Sequence, residues 1–228
     1  MVLEVLKLEM IRSLQEMNPN VKIHDVGEKG FSRYGRILSY DASAVIDHLA
    51  KEEAVFSKLP KARYVTDRAD LHDFPLFSTI QKEIYGELAI QVGVVQGRNQ
   101  YATGTEFHQG SEVNIAVTDC LLVLGDRAVL VANGSVDISQ MEVYFVKKGT
   151  VLEIYDSTLH YTPIETDANG FSLVVVLIEG TNTDIDAEAG SMLTKKNKWY
   201  VCHASQTQKI EQGAVAGLTG ALLKIEHA

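Results

Sequence analysis

Between Glu87 and Asp184 the chain is a series of short runs rich in Val, Ile, Leu, Thr, Tyr and Phe, each cut off by turn-forming residues. ELAIQVGVVQG comes first and alternates, with Leu88, Ile90, Val92 and Val94 on one face. YATGTEFH, SEVNIAVTDCLLVLG, MEVYFVKKG, TVLEIYDS, TLHYTPIE and GFSLVVVLIEG follow, separated by Gly-Asp, Lys-Lys-Gly, Asp-Ser and Asn-Gly signals. Many short strands at this spacing close into a sandwich or barrel. No internal repeat is evident, so a double barrel is not expected.

The flanks read differently. Leu3, Leu6, Leu8, Met10, Ile11, Leu14 and Met17 have helical spacing and stop before Asn-Pro-Asn. A second helix is predicted over Ala42 to Glu53 behind Asp41 as N-cap, and a short third over Leu76 to Ile84 after Pro75. Beyond about residue 181 the chain turns polar, first acidic in TNTDIDAEAG and then basic in SMLTKKNKWYVCHASQ. Its Gly- and Ala-rich end reads as a surface arm. The expected organisation is a helical and extended region over 1–86 packed on a barrel of 87–184, with a tail of 185–228. The fold class is mainly β.

The net charge of −9 argues against nucleic-acid or anionic-membrane partners, which need clustered Lys and Arg. The N-terminal run carries Glu4, Lys7, Glu9 and Arg12, so it lacks the unbroken apolar core of a signal peptide. No stretch suits a membrane span, and a cytoplasmic protein is expected. Cys120 sits in an apolar strand pattern and reads as a small buried hydrophobe. No CxxC spacing suggests structural zinc.

Strand parity then picks out a constellation. Residues two apart point the same way, so Glu106 and His108 share a face and Phe107 takes the other. Glu112, Asn114, Ala116 and Thr118 share a face in the next run, with Val113, Ile115 and Val117 opposite. The intervening Gln-Gly-Ser turns the chain and brings His108 to Glu112. His160, opposite in parity to Leu159 and Tyr161, is the third partner. Singly, each reads as well as a hydrogen-bonded strand histidine or a solvated edge charge. Together, inward-facing, they would be costly without a partner. Imidazole nitrogen and carboxylate oxygen suit a divalent first-row metal, here Mn, Fe, Ni, Co or Zn, held by Glu106, His108, Glu112 and His160. Glu106 or Glu112 is the candidate base and Tyr155 or Tyr161 the candidate proton donor. Asn114, Lys198 and Trp199 are the candidate substrate contacts. Against that, Lys198 belongs to a solvated charge run with Lys195 and Lys196, and Trp199 reads as packing on the barrel's outside. His24, His48, His72, His203 and His227 read as surface or tail residues, although a tail folded over the cavity mouth would bring in His203.

Glu106-x-His108-x-x-x-Glu112 resembles the first cupin motif, His-x-His followed after three or four residues by Glu, with Glu in the first histidine's place. The second motif is less well matched, since FVKKGTVLEIYDSTLHYTPIE has Gly149 but no histidine until His160. One branch fits better. HQGSEVNIAV and FVKKGTVLEIYDSTLHYTP are similar in order and texture to segments of ureidoglycolate lyase, as are FSRYGRIL at 31–38 and FSLVVVLIEGTNTD. The likeness covers about 31–184, with an insertion over roughly 40–86. Closer still is an uncharacterised bacterial cupin family, a domain of unknown function, which shares His-x-x-Ser-Glu and Thr-Leu-His-Tyr. The resemblance implies a cupin-like double-stranded β-helix, that is, a jelly-roll barrel. In it His108 matches the lyase's first-motif histidine, His160 falls near its Trp-His-His, and Glu112 stands where the lyase has glutamine. The expected function is a metal-dependent lyase acting on a small polar hydroxy or keto compound. The alternatives are a sugar or sugar-phosphate isomerase and a non-catalytic small-ligand binder. Homodimerisation is expected by analogy with other cupins.

Overall fold

A computed structural model describes residues 2–227. The helices are α1 (Val2–Met17), α2 (Ser43–Ala50), α3 (Glu53–Phe56), α4 (Pro75–Glu83), α5 (Arg127–Asn133) and α6 (Thr207–Glu211). The first strands are β1 (Ile23–Asp25), β2 (Gly35–Leu38), β3 (Arg63–Val65), β4 (Ile90–Gly97), β5 (Gly104–Phe107), β6 (Glu112–Ala116) and β7 (Cys120–Asp126). Then come β8 (Val136–Asp137), β9 (Glu142–Val146), β10 (Val151–Ile154), β11 (Thr158–Leu159), β12 (Phe171–Ile178), β13 (Leu193–Lys195), β14 (Lys198–Cys202) and β15 (Leu218–Thr219).

The antiparallel pairing is nested. β4 pairs with β12, β6 with β10 and β7 with β9, while β5 meets His160, the residue after β11, through a bridge at Glu106. A chain that pairs its first strand with its last, and so on inward, is one long hairpin wound into two facing sheets. That is the jelly roll, the mainly β, cupin-type barrel expected. One sheet runs β2-β10-β6-β12-β4-β3. The other runs β1-β9-β7-β11 and continues across the Glu106–His160 bridge into β5-β14-β13.

Each sheet is apolar on both sides. Val95, Leu122, Leu124, Tyr144, Leu173, Val175 and Leu177 fill the space between the sheets. On the outside of the six-stranded sheet, Val113, Ile115, Val174 and Val176 pack under Val45, Ile46 and Leu49 of α2 and Phe77 and Ile80 of α4. Leu14 of α1 and Leu130 of α5 cover the other sheet through Leu121, Val143, Phe145 and Leu159. β12 therefore reads FSLVVVLI without alternation, because neither of its faces meets water.

The flanks belong to the sheets as well as covering them. Residues 1–86 supply β1, β2 and β3 as edge strands, and the tail supplies β13 and β14. Capped edges leave fewer open backbone groups for stray pairing. The end of the chain is no surface arm, since Leu218 and Ile225 are buried in the core under the second sheet. The helix expected over the first 17 residues is α1, with Met1 outside the described residues. Asp41 Oδ1 accepts the Ser43 N–H (2.9 Å) at the start of α2, which stops at Ala50, with α3 as a separate turn. The apolar run LVLGDRAVLVANG is not all strand. Asp126 caps α5 by accepting the Ala128 N–H, and Gly134, at φ +69°, ends it in the left-handed conformation. Among the described residues no helix is long and apolar enough to cross a membrane.

One buried carboxylate ties the end of the chain to the barrel. Glu165 is 1 % exposed; it accepts hydrogen bonds from Arg98 Nε (2.7 Å) and Nη2 (2.9 Å) and from the Asn99 N–H (3.1 Å), and pairs with His227 Nε2 (2.8 Å). The His227 side chain is thus only 6 % exposed and is not held out in solvent as a tail residue. Burial alone would raise the Glu165 pKa, but the bonds from Arg98 and His227 outweigh it and hold the carboxyl below the usual range. A carboxyl depressed in the folded state contributes stability above its unfolded pKa of about 4.3 and loses it as pH falls through the folded value. Glu165→Gln is expected to cost about 1.5–3 kcal/mol at pH 7 in urea unfolding, with the gap to wild type narrowing below about pH 4.

Candidate metal centre and substrate cavity

The site is set by the parity of two strands and the turn between them. Phe107 faces out, where Trp199 stacks on it with ring centroids 5.2 Å apart and the Arg127 guanidinium lies 4.3 Å from its ring centre. Glu106 and His108 on either side of it therefore face in. Gly110 turns the chain at φ +85°, and a Cβ there would meet Ile178 Cδ1 at 2.7 Å, so glycine suits both the conformation and the space. In β6, Glu112 and Asn114 then face in, with Val113 and Ile115 under the helices. The Glu106 N–H donates to the His160 carbonyl (2.8 Å) and the His160 N–H to the Glu106 carbonyl (3.0 Å), which sets their side chains facing one another.

Glu106 Oε1 lies 3.7 Å from His108 Nε2. Glu112 Oε2 lies 3.7 Å from His108 Nδ1 and 3.4 Å from His160 Nε2. Asn114 Nδ2 donates to Glu112 Oε1 at 2.7 Å, and Lys198 Nζ pairs with Glu106 Oε2 at 2.5 Å. One ligand atom each from Glu106, His108 and His160 can be chosen so that all lie within 4.8 Å of one another. The cavity they share is about 120 Å³ and is also walled by Val95, Leu122, Leu173 and Val175.

Burial, and after it the neighbouring His160, pushes the His108 pKa down to about 3, so this imidazole is neutral across the working range. Burial would raise Glu112, but His160, His108 and Asn114 together bring it below its ordinary value. Burial would likewise lower His160, and Glu112 overrides that and raises it. Lys198 is also lowered by burial and raised more by Glu106, so it remains an ammonium.

Both ring nitrogens of His108 and Nε2 of His160 are buried without a hydrogen-bond partner. His160 Nδ1 lies 3.1 Å from the Thr158 carbonyl, which can only accept, so Nδ1 carries the proton and Nε2 turns its other side to the cavity. Buried polar atoms left unpaired are rare and costly. Two imidazoles and two carboxylates around one small space are the donor set of a divalent first-row cation. The residues fit Mn, Fe, Ni, Co or Zn, with Glu106, His108 and His160 as the tightest group and Glu112 beside them.

Of the residues singled out in the sequence, the structure brings together Glu106, His108, Glu112, Asn114, His160, Tyr161 and Lys198. Two stand apart. Tyr155 does not line the cavity; its backbone N–H is bonded to the Tyr34 carbonyl. Trp199 packs outside on Phe107, as its neighbour Lys198 turns inward along the same strand. Tyr161 reaches the cavity although parity put it opposite His160, because regular strand ends at Leu159. Tyr64 of β3 and Asn182 also line the space, and no local pattern in the sequence marks them. His24, His48 and His72 pair with Glu28, Asp70 and Asp67, and His203 with Ser205 and the Gly220 carbonyl, all away from the cavity.

The model of the family described as Domain of unknown function (DUF4867) matches residues 23–223. The chain belongs to that family. No curated protein matches this DUF4867 member in sequence. Among solved structures, the oxalate decarboxylase formate complex of Lactobacillus farciminis is 11 % identical over 53 % of this chain and 30 % of its own, with a TM-score of 0.35. A cupin 2 domain-containing protein of Halorhodospira halophila is 16 % identical over 51 % of this chain and 61 % of its own, with a TM-score of 0.30. Salicylate 1,2-dioxygenase of Pseudoaminobacter salicylatoxidans is 13 % identical over 59 % of this chain and 30 % of its own, with a TM-score of 0.29. The DUF4867 chain thus spans about a third of the decarboxylase and of the dioxygenase.

In the metal-free protein, imidazole NMR is expected to find His108 neutral down to about pH 3 and His160 titrating above its ordinary value. Glu112→Gln is expected to lower the His160 midpoint, and a midpoint that does not move would show that the Glu112 charge is not what raises it.

Proposed function

We propose that this protein is a divalent-metal enzyme acting on a small polar hydroxy or keto compound, as a lyase that breaks a C–N or C–O bond beside the bound oxygen. The observation that carries the reading is the set of buried imidazole nitrogens without hydrogen bonds that share one small cavity with Glu106 and Glu112. A divalent ion there supplies Lewis acidity toward adjacent oxygens of the substrate. Glu106, His108 and His160 would hold it. Glu112, fixed through Oε1 by Asn114, keeps Oε2 turned to the cavity and takes the proton. Lys198, paired with Glu106 Oε2, offers its remaining N–H donors to the substrate, and Tyr161 at the mouth returns a proton to the leaving group. The apolar wall keeps water from competing. The lyase assignment is supported by the likeness of HQGSEVNIAV to the ureidoglycolate lyase segment.

Aldose–ketose isomerisation is the second reading. It is favoured by Glu112 itself, a carboxylate where that lyase has glutamine, since moving a proton between neighbouring carbons needs a base. Turnover of ureidoglycolate against turnover of free sugars separates the two.

The test is metal content by mass spectrometry. Near-stoichiometric metal is expected in the parent, with loss in both His108→Ala and His160→Ala. A parent that holds no metal and takes up none of Mn, Fe, Ni, Co or Zn would overturn the reading. Glu112→Gln is expected to keep metal and to lower turnover by about 10²–10⁴.

A further inference from the structure

Outside the cavity mouth lies a second space, a groove of about 530 Å³. It shares Tyr161 and Thr162 with the cavity, so the two adjoin. Its cations are Lys61, Arg98 and Lys209, and among the described residues no aspartate or glutamate lines it. The remaining wall is almost wholly hydroxyl and amide side chains. On a chain of net charge −9 this is a local reversal of sign.

Two of the three charges have no internal counter-charge among the described residues. Lys61 is exposed and has no ion-pair partner among the described residues. Lys209 is half-buried and likewise faces no carboxylate. It donates to the Tyr161 hydroxyl (3.1 Å) and the Tyr200 hydroxyl (2.9 Å), with its Nζ 5.3 and 4.9 Å from their ring centres. An ammonium has three N–H donors, so one is left without a partner in the protein. Arg98 is neutralised by Glu165 through Nε and Nη2, which leaves Nη1 free to donate. Two uncompensated ammonium groups beside a guanidinium edge, among hydroxyls and amides, are the chemistry that recognises a phosphate.

We infer that the groove is a phosphate site and that the substrate is a phosphate monoester of a small hydroxy or keto compound. The phosphate lies among Lys61, Arg98 and Lys209, and the oxygen-bearing end passes Tyr161 and Thr162 into the cavity. Which end reacts rests on the proposed function; the phosphate site does not.

The test is calorimetric titration of the metal-loaded protein with inorganic phosphate, with glycerol 3-phosphate and with glycerol. Both phosphate compounds are expected to bind saturably and glycerol not to bind. Lys61→Gln/Lys209→Gln is expected to weaken both by at least about tenfold; glutamine keeps an amide donor for the tyrosine hydroxyls while removing charge. Lys61→Glu, at an exposed position, is expected to weaken them without disturbing the fold. Metal content and melting temperature are read on the same samples. Absence of saturable phosphate binding, or equal binding in the parent and the double variant, would overturn the groove while leaving a metal-retaining cavity untouched. Phosphate binding lost only with the lysine charges, in a protein that takes up no metal, would uphold the groove and remove the metalloenzyme reading instead.

Discussion

Two backbone hydrogen bonds, exchanged between Glu106 and His160, hold both the fold and the site together. They join the sheet through β11 to the sheet through β5 and so complete the winding of the barrel. Because a directly opposed antiparallel pair projects its side chains to one face, the same two bonds set a carboxylate across from an imidazole. His108 follows by parity, and Glu112 by the turn at Gly110. Closure and chemistry are therefore not independent: a one-residue slip at this bridge would turn Glu106 and His108 away from His160.

The jelly roll and the flanking segments divide the work. The nested strands carry Glu106, His108, Glu112, Asn114 and His160, the groups that would hold and serve a metal. Other groups that line the cavity and the groove come from the flanks: Tyr64 from an N-terminal edge strand, Asn182 from the loop after β12, and Lys198 and Lys209 from the C-terminal segment. A rigid scaffold with variable borders is how one barrel accommodates many ligands.

Strand parity made the centre of the site legible from residue order alone, since Glu106 with His108 and Glu112 with Asn114 need only a two-residue period. It failed where strand geometry stops or was not foreseen. Trp199 and Lys198 are adjacent, and neighbours on one strand cannot both face in; KWYVC lies in a basic stretch whose residue order does not mark it as a strand. Tyr161 lies between the isolated bridges at His160 and Ile164, outside regular strand, where parity no longer binds it. The helix α5 hides inside an apolar run because such a run fits a buried strand and a short helix equally, and only the Asp126 and Gly134 caps separate them. Tyr64 and Asn182 reach the cavity through tertiary packing, which leaves no local trace.

The two-sided burial of β12 bears on how the chain survives its own synthesis. FSLVVVLI is eight residues of strong strand former with no charge and no proline, the profile of a segment that self-associates when left uncovered. It is shielded by α2 and α4 on one side and paired with β4 and β6 at its edges, all of which precede it in the chain. Translation runs from the N-terminus, so the cover and both pairing partners leave the ribosome before the hazard does. A strand that would aggregate on its own thus emerges into a place already prepared for it.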